Sequence, residues 1–173
     1  MKNTLIATAL LSSLLLGCGG EKTSDVVEES PDKPSATKTG TKDPKKVVEG
    51  VVAALAASDY EAFKKFTCLG MTKEQFKAFM AQNDSAKIQR VWDAEADDFV
   101  PAFKTAMKAA FDEAIKDSMK EGFNMTKAKI DEVEFTDDIK AKLTAGSAKL
   151  ELHLDDCFIT PQGLLMFDAV KTR

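Results

Sequence analysis

The chain holds one histidine, one tryptophan, one tyrosine and three cysteines in 173 residues. A single histidine excludes any multi-histidine metal centre built within one chain. No C-x-x-C pair occurs, which removes the usual dithiol redox motif. G-x-S-x-G, H-E-x-x-H, a Gly-rich phosphate loop and an EF-hand loop are all missing, so the chain carries none of the common short signatures of hydrolases, zinc peptidases, nucleotide binders or calcium sensors. Positive charge is not in excess: 24 Lys and Arg stand against 28 Asp and Glu, a net charge of −4. The two signs are interspersed, which gives no electrostatic footprint for nucleic acid and no basic face for anionic lipid. The one long apolar run, Leu5 to Leu16, is too short to span a bilayer.

That run is where the positive content begins. Lys2 precedes it, and a small residue, Gly17, follows it just before Cys18. This is the layout of a secretory signal. Leu15-Leu16-Gly17-Cys18 resembles the lipobox of bacterial lipoproteins. The resemblance implies a signal peptide over residues 1–17, cleavage before Cys18, and acylation of that cysteine with palmitate-type chains. It also implies a bacterial cell-envelope location, with the membrane reached through lipid rather than charge. Several acyl chains hold a protein firmly where one does not. Gly19 is not the acid that retains some lipoproteins at the inner membrane, so the resemblance points to the outer membrane, with the domain in the periplasm or at the cell surface. Loss of Lys2 with the signal leaves a net charge of about −5.

Residues 18–43 follow as a lipidated cysteine and tether. The stretch is rich in Gly, Ser, Thr, Pro, Lys and Glu, with Val26-Val27 its one apolar pair. Such a composition cannot bury enough apolar surface to offset the entropy of ordering. Residues 44–173 then hold one core and are too few for two ordinary domains. With Cys18 used by lipid, Cys68 and Cys157 are left as an even pair in an exported chain, and a Cys68–Cys157 disulfide is the expectation.

Helices come first in this domain. Asp43-Pro44 caps a helix carrying Val47, Val48, Val51, Val52 and Leu55 at helical spacing. Gly50 in its middle suggests the close approach of another element. Ser58-Asp59-Tyr60-Glu61 and Thr72-Lys73-Glu74-Gln75 are capping-box patterns that start two further helices, with Phe63 and Phe66 on the first and Phe76, Phe79 and Met80 on the second. Ser85 to Asp93 places Ile88, Val91 and Trp92 at helical spacing. Phe99, Phe103, Met107, Phe111, Ala114, Ile115 and Met119 predict a long amphipathic helix from near Asp98 to Gly122, its apolar stripe facing the core.

The pattern changes after Phe123. Ile130, Val133 and Phe135 lie in an extended segment, and Asp137 to Thr144 fits a helical turn or a weak strand equally well. Lys149 to Leu154 alternates strictly, with Leu150, Leu152 and Leu154 on one face and Glu151, His153 and Asp155 on the other. A bulge is expected at Asp155-Asp156, a turn at Thr160-Pro161-Gln162-Gly163, and a returning strand over Leu164 to Val170. Helices followed by an antiparallel meander make an α+β class, with N-terminal helices packed on a C-terminal antiparallel sheet.

The strongest chemical candidate is the trio Glu151, His153 and Asp155. A carboxylate beside an imidazole can prepare a general acid or base. The competing reading is a solvated outer face with His153 partly exposed, and it is the favoured one. Asp97-Asp98, Asp137-Asp138 and Asp155-Asp156 invite a calcium site, but helix-start and turn acids explain them better. Phe63, Phe66, Phe76, Phe79 and Trp92 suit an apolar ligand pocket, or the core that covers the sheet. No residue set calls for a cofactor or a resident metal.

The stretch VVEGVVAALAASDYEAFKKF resembles the opening of the cone-shaped nuclear-transport-factor-2-like, or ketosteroid-isomerase-like, domains. SAKLELHL followed by LLMFDAVK is similar to their C-terminal strands. The chain departs from them in lacking a Trp in its last strand and in the length of the Phe99–Met119 helix, and no catalytic residue is carried over. The resemblance implies a cone-like fold that hosts enzymes, ligand binders and scaffolds alike. The leading expectation is a membrane-anchored envelope lipoprotein whose non-catalytic domain binds an envelope protein or a small apolar ligand. The alternatives are a hydrolase or isomerase using His153 with Glu151 or Asp155, and a structural or inhibitory envelope protein.

Overall fold

A computed structural model of the chain describes residues 40–82 and 91–173. The expected signal peptide, Cys18, most of the expected tether and most of the helix expected over Ser85–Asp93 lie outside the described residues. Helix α1 spans Pro44–Ala57. Its start follows the expectation: Asp43 accepts a hydrogen bond from the Lys45 N–H at 3.0 Å, and Pro44 occupies the first turn. It ends where Ser58 turns left-handed (φ 52°) and the Asp59 N–H reaches back to the Ala54 carbonyl at 2.9 Å. Asp59, not Ser58, then caps the short helix α2, Tyr60–Lys64, through the Ala62 N–H at 2.9 Å. A single 3₁₀ turn at Cys68–Gly70 leads to α3, Lys73–Gln82. The capping box at its start closes both ways: the Thr72 N–H donates to Gln75 Oε1 at 2.8 Å, and the Gln75 N–H donates to Thr72 Oγ1 at 3.2 Å.

Two departures follow. Trp92-Asp93 (β1) and Asp98-Phe99 (β2) pair as a two-stranded ribbon, so this part of the expected Ser85–Asp93 helix is extended. The long helix, α4, begins at Pro101 and runs to Lys120. Val100 and Pro101 set that boundary, because the residue before a proline is driven out of the helical region. Phe99 therefore leaves the helical stripe and stacks edge-on to Trp92, with ring centroids 4.3 Å apart.

After a 3₁₀ turn at Met125–Lys127 come β3 (Lys129–Phe135), β4 (Ile139–Ala145) and β5 (Ala148–Asp155), an antiparallel meander. The segment whose sequence fitted helix or strand is thus a strand, with Ile139, Ala141 and Leu143 facing inward and buried. β5 ends at Asp155, and Asp156 turns left-handed (φ 53°), so the chain turns there rather than bulging. The bulge in this sheet lies instead between Ile130 and Glu132 of β3. The expected single returning strand is split in two. β6 (Phe158–Ile159) pairs with β7 (Leu165–Met166) across the Thr160–Gly163 turn, and β8 (Ala169–Thr172) pairs with β5. The sheet order is β3-β4-β5-β8. The result is the α+β architecture read from the sequence, helices first and an antiparallel sheet after.

The described residues form one compact unit with two apolar clusters. The larger holds the inward sheet residues, the valines of α1, Phe63, and Met107, Phe111 and Ala114 of α4. The smaller gathers Cys68, Phe76, Phe79, Phe99 and Met166, with Trp92 and Phe158 against them. Gly50 makes the close approach its position suggested: a Cβ there would run into the ring of Phe66. Alanine favours a helix interior over glycine by about 1 kcal/mol, so the packing term and the propensity term oppose each other. Gly50→Ala is expected to destabilise the fold by about 1–2 kcal/mol net, because overpacking a core outweighs the propensity gain. Gly50→Ala with Phe66→Leu should recover part of the loss. Urea unfolding of the two variants measures both.

Candidate functional site

The outward face of the sheet is organised by register. One row runs Glu132, Lys142, Glu151, Arg173 across β3, β4, β5 and the end of β8, and the next runs Glu134, Lys140, His153, Lys171. Acids and bases alternate along the first; the second has one acid, Glu134, followed by three basic side chains. Lys142 pairs with Glu132 at 2.6 Å and Lys171 with Asp155 at 2.6 Å, and each carboxylate raises its partner lysine's pKa, chiefly through the hydrogen bond.

This register separates the trio expected from sequence. His153 Nε2 lies 3.3 Å from Glu151 Oε2, so these two meet. Asp155 turns to Lys171 instead. The alternation of β5 is as read, with Leu150, Leu152 and Leu154 all buried. The expected exposure of His153 is corrected: it faces outward yet is 7 % exposed. β5 is a central strand, and Lys140 and Lys171 stand opposite His153 on its two neighbours. Long lysine stems cover a shorter residue between them while their ammonium groups stay in water.

The acid pairs are each engaged in local structure. Asp98 pairs with Lys104 and accepts from its own strand at the Phe99 N–H (2.8 Å), and the lysine contact first, the N–H second, holds its carboxyl below the usual range. Asp97, left-handed at φ 54°, pairs with Lys73. Asp138 accepts from the Asp156 N–H at 2.8 Å. Among the described residues no three His, Cys, Asp or Glu side chains converge as a metal site.

The candidate aromatic pocket is filled by its own rings. Phe63 packs on Phe111 at 4.9 Å and Phe167 at 5.6 Å, all three at most 1 % exposed. Phe76 and Trp92 stack at 5.3 Å, and Phe79 meets Phe158 at 4.5 Å.

The expected Cys68–Cys157 disulfide is not formed in this structure; both are free thiols. Cys157 Sγ donates to the Leu154 carbonyl at 3.2 Å, while Cys68 is packed in the turn between α2 and α3 against the smaller aromatic cluster. Parity of cysteines carries no geometry. Burial, then the Asp168 charge, pushes the Cys68 thiol up to about 12, and burial first of all pushes Cys157 up to about 11. Neither is a poised nucleophile.

What the sequence reading missed is the free edge of the sheet. Among the described residues β3, like β8 at the other end, has a strand on one side only. Beside it lie a hollow of about 280 Å³ lined by Lys45, Ile130, Asp131, Glu132, Val133 and Phe135 among others, and one of about 410 Å³ lined by Lys45, Val52, Ala53, Met125 and Ile130 among others. They share Lys45 and Ile130, so together they follow α1 and β3. The signal lay in the apolar residues of β3, which stay half-exposed: Phe135 is 41 % exposed. No family model, curated protein or solved structure matches this chain.

Two expectations follow. His153→Ala should cost about 1–2 kcal/mol, more than an ordinary surface change, because a buried side chain and its hydrogen bond are lost. Leu152→Ala should cost about 2–5 kcal/mol through the cavity it opens. A denaturant series on both variants ranks them. For the thiols, Cys157 should react with an aromatic disulfide reagent at pH 8 before Cys68, and both far more slowly than a free cysteine. Each folded thiol holds its proton above the ordinary value of 9.0. The unfolded chain binds fewer protons above that pH, so stability is full below about pH 9 and falls as pH rises toward 11–12. Chemical unfolding at pH 8 and pH 10, repeated on Cys68→Ala, shows the slope and its fall to the part that Cys157 retains.

Proposed function

We propose that this chain is a lipid-anchored bacterial cell-envelope protein whose α+β domain binds another protein and catalyses nothing. The anchor rests on Lys2, the Leu5–Leu16 run and Leu15-Leu16-Gly17-Cys18. No helix among the described residues is long and apolar enough to cross a membrane, so lipid at Cys18 is the attachment this reading uses. The observation that carries the binding part is the filled interior. Where a cone-shaped domain would hold a small ligand between helices and sheet, Phe63, Phe111 and Phe167 interlock with Leu152 and Leu154, all at most 1 % exposed. Open space follows the rim along β3 and α1, where a protein segment can reach it; smaller hollows lie on the outer sheet face beside Glu151 and next to Tyr60.

The buried His153–Glu151 contact favours a second reading, a hydrolase or isomerase built on that pair. A general acid or base must reach a substrate proton directly or through one water. His153 is covered on the outer face, which leaves such a site to be opened by movement of Lys140 or Lys171. Ester and enone substrate panels assayed on the wild type and His153→Gln decide it: equal, negligible turnover is the expected result.

The anchor has its own test. Radiolabelled palmitate should enter the wild type and not Cys18→Ser, and the variant should accumulate as uncleaved precursor. Equal labelling of the two would remove the lipoprotein reading. Fractionation of labelled cells should place the wild type in the outer membrane.

A further inference from the structure

The sheet's free edge is selective. From Glu132 to Phe135, β3 keeps continuous register with β4. Glu132 and Glu134 face outward there, and Asp131 sits at the bulge just before. Val133 and Phe135 face inward, but with no strand beyond them they stay half-buried and exposed respectively. Glu132 has Lys142 on one side of its row, and Glu134 has Lys140. On the other side each acid faces solvent among the described residues.

The opposite end of the same sheet shows what completes such a row. β8 lies antiparallel on β5 with Val170 buried inward. Arg173 exchanges backbone hydrogen bonds with Glu151 at 2.8 and 2.9 Å, and Lys171 reaches Asp155. A strand whose outward residues are bases, Lys171 and Arg173, therefore seats on a strand bearing Glu151 and Asp155 in this molecule.

We propose that the β3 edge takes a basic extended segment of a partner protein, Lys or Arg alternating with aliphatic residues, as a fifth strand of the sheet. The proposal rests on the protein-binding reading above and names its partner chemistry. Main-chain hydrogen bonds hold an added strand and alternate side chains select it. The bases meet Glu132 and Glu134, and the aliphatic residues cover Val133 and Phe135 and enter the two hollows beside α1. Edge acids and a bulge also guard against indiscriminate pairing. The two roles are one device: the acids repel acidic strands and admit basic ones. A second copy using the same edge would set Glu132 and Glu134 against acids, which is unfavourable directly across a strand pair.

The test uses the full chain in neutral detergent and fluorescent peptides of seven residues, the length of β3. One alternates Lys and Val, one alternates Glu and Val, and one is the Lys/Val peptide N-methylated on alternate residues. The Lys/Val peptide should bind at least about tenfold more tightly than the Glu/Val peptide, and N-methylation should abolish binding. The double variant Glu132→Lys/Glu134→Lys should reverse the preference. Both substituted positions are exposed, and circular dichroism checks that the variant is folded. Binding that survives N-methylation, or a preference unchanged in the variant, overturns the proposal. Concentration-dependent self-association abolished by the same variant assigns the edge to a second copy and also overturns it. A photo-crosslinking residue at position 134, compared with one at exposed position 116 on α4, separates this from the broader reading. Adducts at 134 whose crosslinked peptide is basic and alternating support the proposal. Adducts at 116 alone overturn it and leave protein binding standing, and adducts at neither position remove both.

Discussion

The burial of one strand face holds the domain together. β5 is paired on both sides, by β4 and β8, and its inward residues Leu150, Leu152 and Leu154 are at most 3 % exposed. Burying a leucine fully is worth about 1.5–3 kcal/mol, and these three sit where every other element must come to cover them. The valines of α1 supply one lid and Met107, Phe111 and Ala114 of α4 another. Gly50 lets the Phe66 ring lie against α1, which draws the α2 end and the turn after it onto the same core. The parallel bridge between Thr67 and Phe167 then ties that turn to the chain just before β8.

Charge does different work on the other side of the same strand. Exposed ion pairs such as Lys142–Glu132 contribute little to stability individually. Their value is in pattern. The charged rows keep the outer face soluble and present acids at one end of the sheet and bases at the other. His153 lies in this array opposite Lys140 and Lys171. Its burial is thus a consequence of lying on a central strand, and it places the imidazole away from the hollows along β3.

The smaller aromatic cluster gives the domain a second centre. α3, the β1–β2 ribbon and the β6–β7 pair are each too short to be stable alone. Phe76, Phe79, Trp92, Phe99 and Phe158 close on one another and make a unit of them. Rings that might have lined a cavity are used to fill one. Binding capacity is left at the rim, where backbone groups and half-covered apolar residues of β3 meet solvent, and this is why an extended protein segment suits the domain better than a small buried ligand.

Local chemistry was legible wherever a feature depends on neighbours in the chain. The Asp43-Pro44 start, the Thr72–Gln75 box, the Leu150-Leu152-Leu154 face and the Thr160–Gly163 turn all rest on contacts within a few residues, so the sequence alone determined them, and with them the α+β class. The same local reasoning identified Gly50 as a point of close approach without saying what approaches. Tertiary structure decided the rest. It drew Trp92 out of a helical stripe into a ribbon with Phe99, because the rings of Phe76 and Phe99 offered it a better cover than one helix face. It split the last strand, turned Asp155 from His153 to Lys171, and left Cys68 and Cys157 as free thiols. It also decided which strand stands at the edge. Strand order is fixed by pairings between residues far apart in the chain, and a period-two pattern tells which face a residue takes but not what stands beside it.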